Sequence, residues 1–214
     1  MSSNQPRQAV LFDLDDTLTA TLAVKWDHHR QVARDHFGIE IDDATLREHW
    51  GKPFDVLISH LYRNSAPLEE MRAANRATAH LFPKPAIPGA VEAVTRLLDA
   101  GILVGVVTST RTEFAVADLP RLGFPLQRLL CVQGADQTVH HKPDPRVFDG
   151  ILAQLEDLGV DDVTYVGDSW YDAEAAAGAG LEFIGVTTGL WGAEHFGDAT
   201  VIDSMADLPE VLGV

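Results

Sequence analysis

Ala9-Val10-Leu11-Phe12-Asp13-Leu14-Asp15-Asp16-Thr17-Leu18 is the stretch on which the fold turns. Residues 9–12 are continuously apolar, the pattern of a buried strand, and the run breaks into three carboxylates within four residues. Similar apolar runs recur at 102–107, 129–132, 163–166 and 183–186. Between them lie amphipathic helical patterns. Over 89–100, Val91, Val94, Leu97 and Leu98 fall on one face, and Gly101 is placed to end the helix in a left-handed conformation. Further on, Asp144 can cap a helix whose first turn suits Pro145, with Val147, Phe148, Ile151, Leu152, Leu155 and Leu158 as its apolar stripe. This alternation predicts an α/β fold, a doubly wound parallel sheet covered by helices on both faces.

One segment departs from it. Residues 20–82 hold no strand pattern, only helical patterns at 26–37, 43–50, 54–62 and 68–81. They predict an inserted α-helical module, with Pro83, Pro85 and Pro88 marking the return to the main domain. The expected division is an α/β core domain over 1–19 and 84–214 and a helical domain over 20–83. No internal repeat or low-complexity tract is present.

Composition narrows the function. The 214 residues are 46% hydrophobic and 22% charged, close to globular averages, and no apolar run has the length of a membrane span. The polar start, Met1-Ser2-Ser3-Asn4-Gln5-Pro6-Arg7, lacks a signal peptide's long apolar segment, so a cytoplasmic protein is expected. Cys131 is the single cysteine, which excludes an intrachain disulfide and a cysteine-based zinc site; it reads as a small buried hydrophobe. A formal charge of −16 argues against nucleic acid and anionic membranes as partners. The same charge would repel a phosphate ester, so an enzyme for phosphates built on this chain needs a local positive centre.

The motifs supply one. Asp13, Asp15 and Asp16 stand where the first strand ends, the edge at which open α/β sheets bind ligands. A lone Asp-x-Asp is weak evidence, since acids also cap helices and fill turns. The strand over 163–166, however, runs into Gly167-Asp168-Ser169-Trp170-Tyr171-Asp172 and brings two more carboxylates to the same edge. Four or five converging acids imply a divalent cation among them, and an all-oxygen set suits magnesium better than zinc. Thr108-Ser109-Thr110 follows the strand over 102–107, and its hydroxyls and amides can hold phosphate oxygens; alone, it would be a plain turn. Lys142, in His140-His141-Lys142-Pro143-Asp144-Pro145, can reach the same edge, although an isolated lysine there would be solvated.

With these four motifs in order over nearly the whole chain, the sequence resembles the haloacid dehalogenase superfamily, in its phosphatase branch with a helical cap after the first motif. The resemblance implies a Rossmann-like core with the Asp13 strand between those ending at Thr108 and Gly167. It implies Asp13 as nucleophile, Asp15 as general acid and base, and Thr108, Ser109 and Lys142 around the phosphate. Magnesium would be held by Asp13, the backbone carbonyl of Asp15, and Asp168, with Asp172 binding directly or through water. Asp15 favours phosphate esters, because members that cleave carbon–halogen bonds or phosphonates generally lack a carboxylate there. The chain departs from the family's usual residues at Asp16, often glycine, at Ala20, often acidic, and at Ser109, often asparagine.

In related caps a short glycine-containing loop meets the substrate beyond its phosphate. The corresponding stretch is His49-Trp50-Gly51-Lys52-Pro53, beside Arg47. Lys52 could meet a second anion on the substrate or be a solvated turn lysine; the sequence leaves both open. His28, His29 and His60 match no metal-site spacing and read as surface or packing residues. The expected activity is hydrolysis of a small phosphorylated metabolite, such as phosphoglycolate or a sugar phosphate, by a monomer or weak homodimer. A sugar phosphomutase on the same core is the alternative; mutases of this type tend to carry a histidine shortly after the first motif, and the corresponding stretch here begins with Lys25, with His28 and His29 close by. A more remote reading is a receiver domain that accepts phosphate on aspartate without turnover.

Overall fold

The computed structural model describes residues 7–50, 52 and 54–214, so the polar start over 1–6 and the loop residues Gly51 and Pro53 lie outside the described residues. The strands are β1 (Arg7–Phe12), β2 (Leu103–Val107), β3 (Cys131–Gln133), β4 (Val160–Gly167), β5 (Glu182–Val186) and β6 (Thr200–Ile202). The α-helices are α1 (Leu22–Phe37), α2 (Asp43–His49), α3 (Phe54–Leu61), α4 (Leu68–Thr78), α5 (Ala90–Asp99), α6 (Thr112–Arg121), α7 (Asp149–Asp157), α8 (Trp170–Ala179) and α9 (Leu208–Val211). The chain splits into two compact units, one formed by 1–20 with 85–214 and the other by 21–84.

The first unit is the doubly wound parallel α/β sheet that the alternation predicts. Its strand order is β3-β2-β1-β4-β5-β6, and every pairing is parallel. Both faces are covered. Val10, Phe12, Val104, Val106 and Val166 pack with α5, α6 and α9 on one side, while Ala9, Leu11, Tyr165 and Phe183 pack with α7 and α8 on the other. That double burial is why the strands lack polar alternation. Gly101 takes φ 85 just past α5, as its position predicts.

Three local differences from the sequence reading have physical causes. β3 begins at Cys131, two residues later than the apolar run at 129–132, because a 3-10 turn over Leu126–Arg128 still holds Leu129 through its N–H to Leu126 O. Asp144 does cap, accepting from Arg146 N–H, but the turn it caps is 3-10, over Pro145–Phe148, and α7 begins only at Asp149. β6, only three residues long and at the sheet's edge, carries too short a pattern to stand out in the sequence.

The second unit is helical. α1 packs on α4, α4 on α3 and α3 on α2, around Val32, Leu46, Ile58, Leu61, Tyr62 and Met71. Tyr62, Asn75 and His29, all buried, are linked by a chain of hydrogen bonds. Asn75 donates to Met71 O at 3.0 Å, Tyr62 donates to Asn75 Oδ1 at 3.0 Å, and the Tyr62 hydroxyl meets His29 Nδ1 at 2.9 Å. Since the one hydroxyl proton goes to Asn75, His29 Nδ1 carries a proton and donates. His28 bonds Thr78 Oγ1 at 2.9 Å. His28 and His29 are therefore packing residues, each 3% exposed. His60 is exposed and stacks on His49.

Candidate active site

The sheet order puts β1 between β2 and β4, so the residues after these three strands share one rim. Asp13 N–H donates to Val166 O at 2.9 Å, carrying the ladder one residue beyond β1. Strand periodicity turns Asp13 to the face of Leu11, which is paired in register with Tyr165. There the segment ahead of α7 brings in Lys142, whose side chain is only 6% exposed. Its Nζ donates to Asp13 Oδ1 at 2.6 Å, to Asp172 Oδ1 at 2.6 Å and to the Tyr165 hydroxyl at 2.9 Å. An ammonium has three N–H groups, and all three are matched. Burial opposes this charge, but Asp13 and Asp172 outweigh it and hold the lysine well above its ordinary pKa.

Asp168 and Asp172 arrive from β4 and the start of α8. Ser169 and Asp172 form a capping box: the Ser169 hydroxyl accepts from Asp172 N–H, while Asp172 Oδ2 accepts from Ser169 N–H at 3.1 Å. Helix initiation thus aims Asp172 back into the rim, with Oδ1 on Lys142. The close turn requires Gly167, since a Cβ there would stand 2.6 Å from the Asp172 side chain. Asp168 accepts weakly from Thr17 Oγ1 at 3.4 Å. Gly189, in the loop after β5, lies against it so closely that a Cβ would fall 1.8 Å from Asp168 Oδ2.

Asp13, Asp168 and Asp172, all buried, each place a carboxylate oxygen within 4.8 Å of the others. Three carboxylates against one ammonium leave excess negative charge out of reach of water. Burial, with Asp172 and Asp15 adding and Lys142 opposing, pushes Asp13 up to about 7. Burial, Asp172 and Asp13 push Asp168 well above the usual carboxylate range. Such a surplus of buried acids is what a divalent cation would neutralise, and the donors are all oxygens, so the residues present fit a hard ion of the magnesium type.

The phosphate loop begins with buried Thr108, whose N–H donates to Gln133 O at 2.9 Å and whose Oγ1 accepts from Thr110 N–H at 3.1 Å. Thr110 Oγ1 donates to Asp15 Oδ2 at 2.5 Å, tying this loop to the first motif. Ser109 is exposed. Asp16 adopts φ 60, a left-handed conformation that aspartate tolerates better than most residues. Arg47 and Lys52 belong to the helical unit, and both are exposed. The Arg47 guanidinium lies 5.4 Å from the Trp26 ring centroid, and Lys52 Nζ lies 2.7 Å from His49 Nδ1.

Asp13, Lys142, Asp168 and Asp172 are therefore brought together, with Thr108 at the end of the neighbouring β2 and Asp15 just beyond Asp13 after β1. Sequence reasoning passed over three contributors: Tyr165, Gly189 and the link from Thr110 to Asp15. For Tyr165 a signal exists, because a phenol inside an apolar buried strand must find its hydroxyl a partner. Gly189 carries none, since its close approach to Asp168 exists only in three dimensions.

The chain belongs to the haloacid dehalogenase-like hydrolases, whose family model matches residues 10–186. Curated relatives within that family are phosphatases. The chain is 30% identical to validoxylamine A 7'-phosphate phosphatase of Streptomyces hygroscopicus subsp. limoneus over 95% of both chains. It is 29% identical to phosphoglycolate phosphatase of Vibrio cholerae over 95% of this chain and 96% of the other. Among solved structures it resembles a protein designated a beta-phosphoglucomutase of Thermotoga maritima, with TM-score 0.81 and 26% identity over 96% of this chain and 98% of that one. Membership of a hydrolase family sets aside the receiver-domain reading. No helix among the described residues is long and apolar enough to cross a membrane.

Proposed function

We propose that this protein is a magnesium-dependent hydrolase of a small phosphate monoester, working through a phosphorylated Asp13. The observation that carries the reading is the buried Lys142 ammonium, 2.6 Å from both Asp13 and Asp172, beside an acid cluster able to hold a cation. Asp13, Asp168 and the Asp15 carbonyl would hold magnesium, with Asp172 direct or through water. Bound there, the ion supplies the positive charge that lets two anions meet.

A free oxygen of Asp13 attacks phosphorus in line and forms a new P–O bond. The bond to the ester oxygen breaks, and Asp15 gives that oxygen its proton, releasing the alcohol. Asp15 then takes a proton from water, whose oxygen cleaves the aspartyl-phosphate and frees orthophosphate. The Thr108 loop holds the non-bridging oxygens, and the Lys142 ammonium, 2.6 Å from the nucleophile Asp13, balances the added negative charge. The helical unit serves as the cap that selects the substrate, with Arg47 and Lys52 as candidate contacts. The substrate class is a small anionic metabolite of cytoplasmic chemistry. The phosphoglycolate phosphatases and the validoxylamine phosphate phosphatase among its relatives support a phosphoglycolate or a sugar-like phosphate. Likeness to a beta-phosphoglucomutase supports a second reading, transfer of the phosphoryl group to another hydroxyl of a sugar phosphate.

The test is a panel of phosphorylated metabolites scored for free phosphate, with and without magnesium, alongside Asp13→Asn. Magnesium-dependent release by the wild type and none by a folded Asp13→Asn is expected. Normal turnover by Asp13→Asn would show that another group is the nucleophile. Sugar phosphate isomers formed without free phosphate would favour the mutase.

A further inference from the structure

Tyr165 is a residue of the core that also reaches the site. Its ring lies in the apolar layer between the sheet and α7 and α8, edge-on to Phe148 with centroids 4.8 Å apart, and it is fully buried. For packing alone, phenylalanine would serve as well and would spare the desolvation of a hydroxyl. The hydroxyl is instead used at the rim. It donates to Val107 O at 2.9 Å, with Asp172 Oδ1 as a second acceptor at 3.2 Å, and receives the third N–H of Lys142 at 2.9 Å. Burial, with Lys142 opposing and Asp172 adding, holds it well above the usual phenol pKa, so it stays a neutral donor and acceptor.

The two contacts act together. Val107 ends β2 and is joined directly to Thr108, so one hydroxyl ties the lysine to the strand end that carries the phosphate loop. Asp13 and Asp172 attract the ammonium by charge, which constrains direction poorly; the third, neutral contact fixes where between them Nζ stands. We propose that Tyr165 is a positioning residue for Lys142, holding its ammonium in register with both Asp13 and the phosphate loop, so that removing the hydroxyl lowers turnover while the fold persists. This inference rests on the catalytic roles proposed for Asp13 and Lys142.

The experiment compares wild type, Tyr165→Phe and Phe183→Leu with p-nitrophenyl phosphate and magnesium chloride, measuring kcat, KM and thermal unfolding. Phe183 flanks Tyr165, with centroids 6.3 Å apart, and its side chain has no polar atom, so its truncation disturbs the same core without removing a hydrogen bond. Tyr165→Phe should lower kcat roughly 10- to 100-fold, the effect of losing one hydrogen bond to a charged group, with KM changed by less than about threefold. Phe183→Leu should unfold at lower temperature yet keep kcat within about twofold. A wild-type kcat in Tyr165→Phe overturns the proposal. So does a loss of kcat that follows stability in both variants, or a Tyr165→Phe that does not fold while Phe183→Leu does, since the hydroxyl would then be structural. If Asp13→Asn and Lys142→Ala are inert while Tyr165→Phe is normal, only this inference fails. A wild type that releases no p-nitrophenol, or a fully active Asp13→Asn, instead removes the reading of the site and this inference with it.

Discussion

His29 makes the helical unit sensitive to acid by an amount that can be worked out. The ring is 3% exposed, and burial first, then the nearby His28 and Lys25, lowers its pKa from 6.5 to about 3. An unfolded chain therefore binds a proton that the folded chain refuses, so stability is full above pH 6.5 and falls as the pH drops toward 3. Each pH unit in that window is worth about 1.4 kcal/mol, so His29 costs roughly 2 kcal/mol by about pH 5. Replacing it with leucine removes the titration. It also removes the donor to Tyr62 and some packing, for about 1–2 kcal/mol at neutral pH. Urea denaturation of both proteins, followed by circular dichroism from about pH 7.5 to about pH 5, reads the difference directly. The deficit of His29→Leu should shrink steadily with acid and reach zero or change sign near pH 5. His28 is also lowered, to about 4, but titrates in both proteins. Stability curves that run parallel across this range would mean that His29 is protonated in the fold, and the assignment of a neutral, buried ring would be wrong.

Two further outcomes concern the rim. Asp15→Asn should slow release from alkyl phosphates by about 10²–10⁴-fold and from p-nitrophenyl phosphate much less, because nitrophenolate leaves without a proton; equal losses on both would remove Asp15 as the acid. Gly189→Ala should fold but displace the Asp168 carboxylate, raising the magnesium concentration needed for half-maximal activity by roughly 10-fold or more; an unchanged requirement would show that Asp168 has room to move without consequence.

Much of the fold was legible because burial on both faces leaves a plain trace. The runs at 9–12, 102–107, 163–166 and 183–186 all became strands, and the acids after the first and third of them stand at one rim of the sheet. Legibility fell where local and tertiary forces disagree or where the element is short. β6 is three residues long, and the 3-10 stretch over Pro145–Phe148 replaces a full helical turn. α6 carries Pro120 in its last turn, and an internal proline argues against a helix.

By itself, the sequence determined which residue types stand at each strand end, and hence that carboxylates, hydroxyls and one lysine would compete for the same edge. Periodicity and capping are properties of neighbours along the chain, so they can be read without coordinates. Only the tertiary structure decided that Lys142 is sealed from water between two carboxylates and a phenol, that Gly189 presses on Asp168, and that two adjacent histidines are buried and neutral. Those facts depend on which surfaces meet between residues distant in the chain, up to the 129 that separate Lys142 from Asp13, and the energies at stake are set by exclusion of water, which no local pattern records.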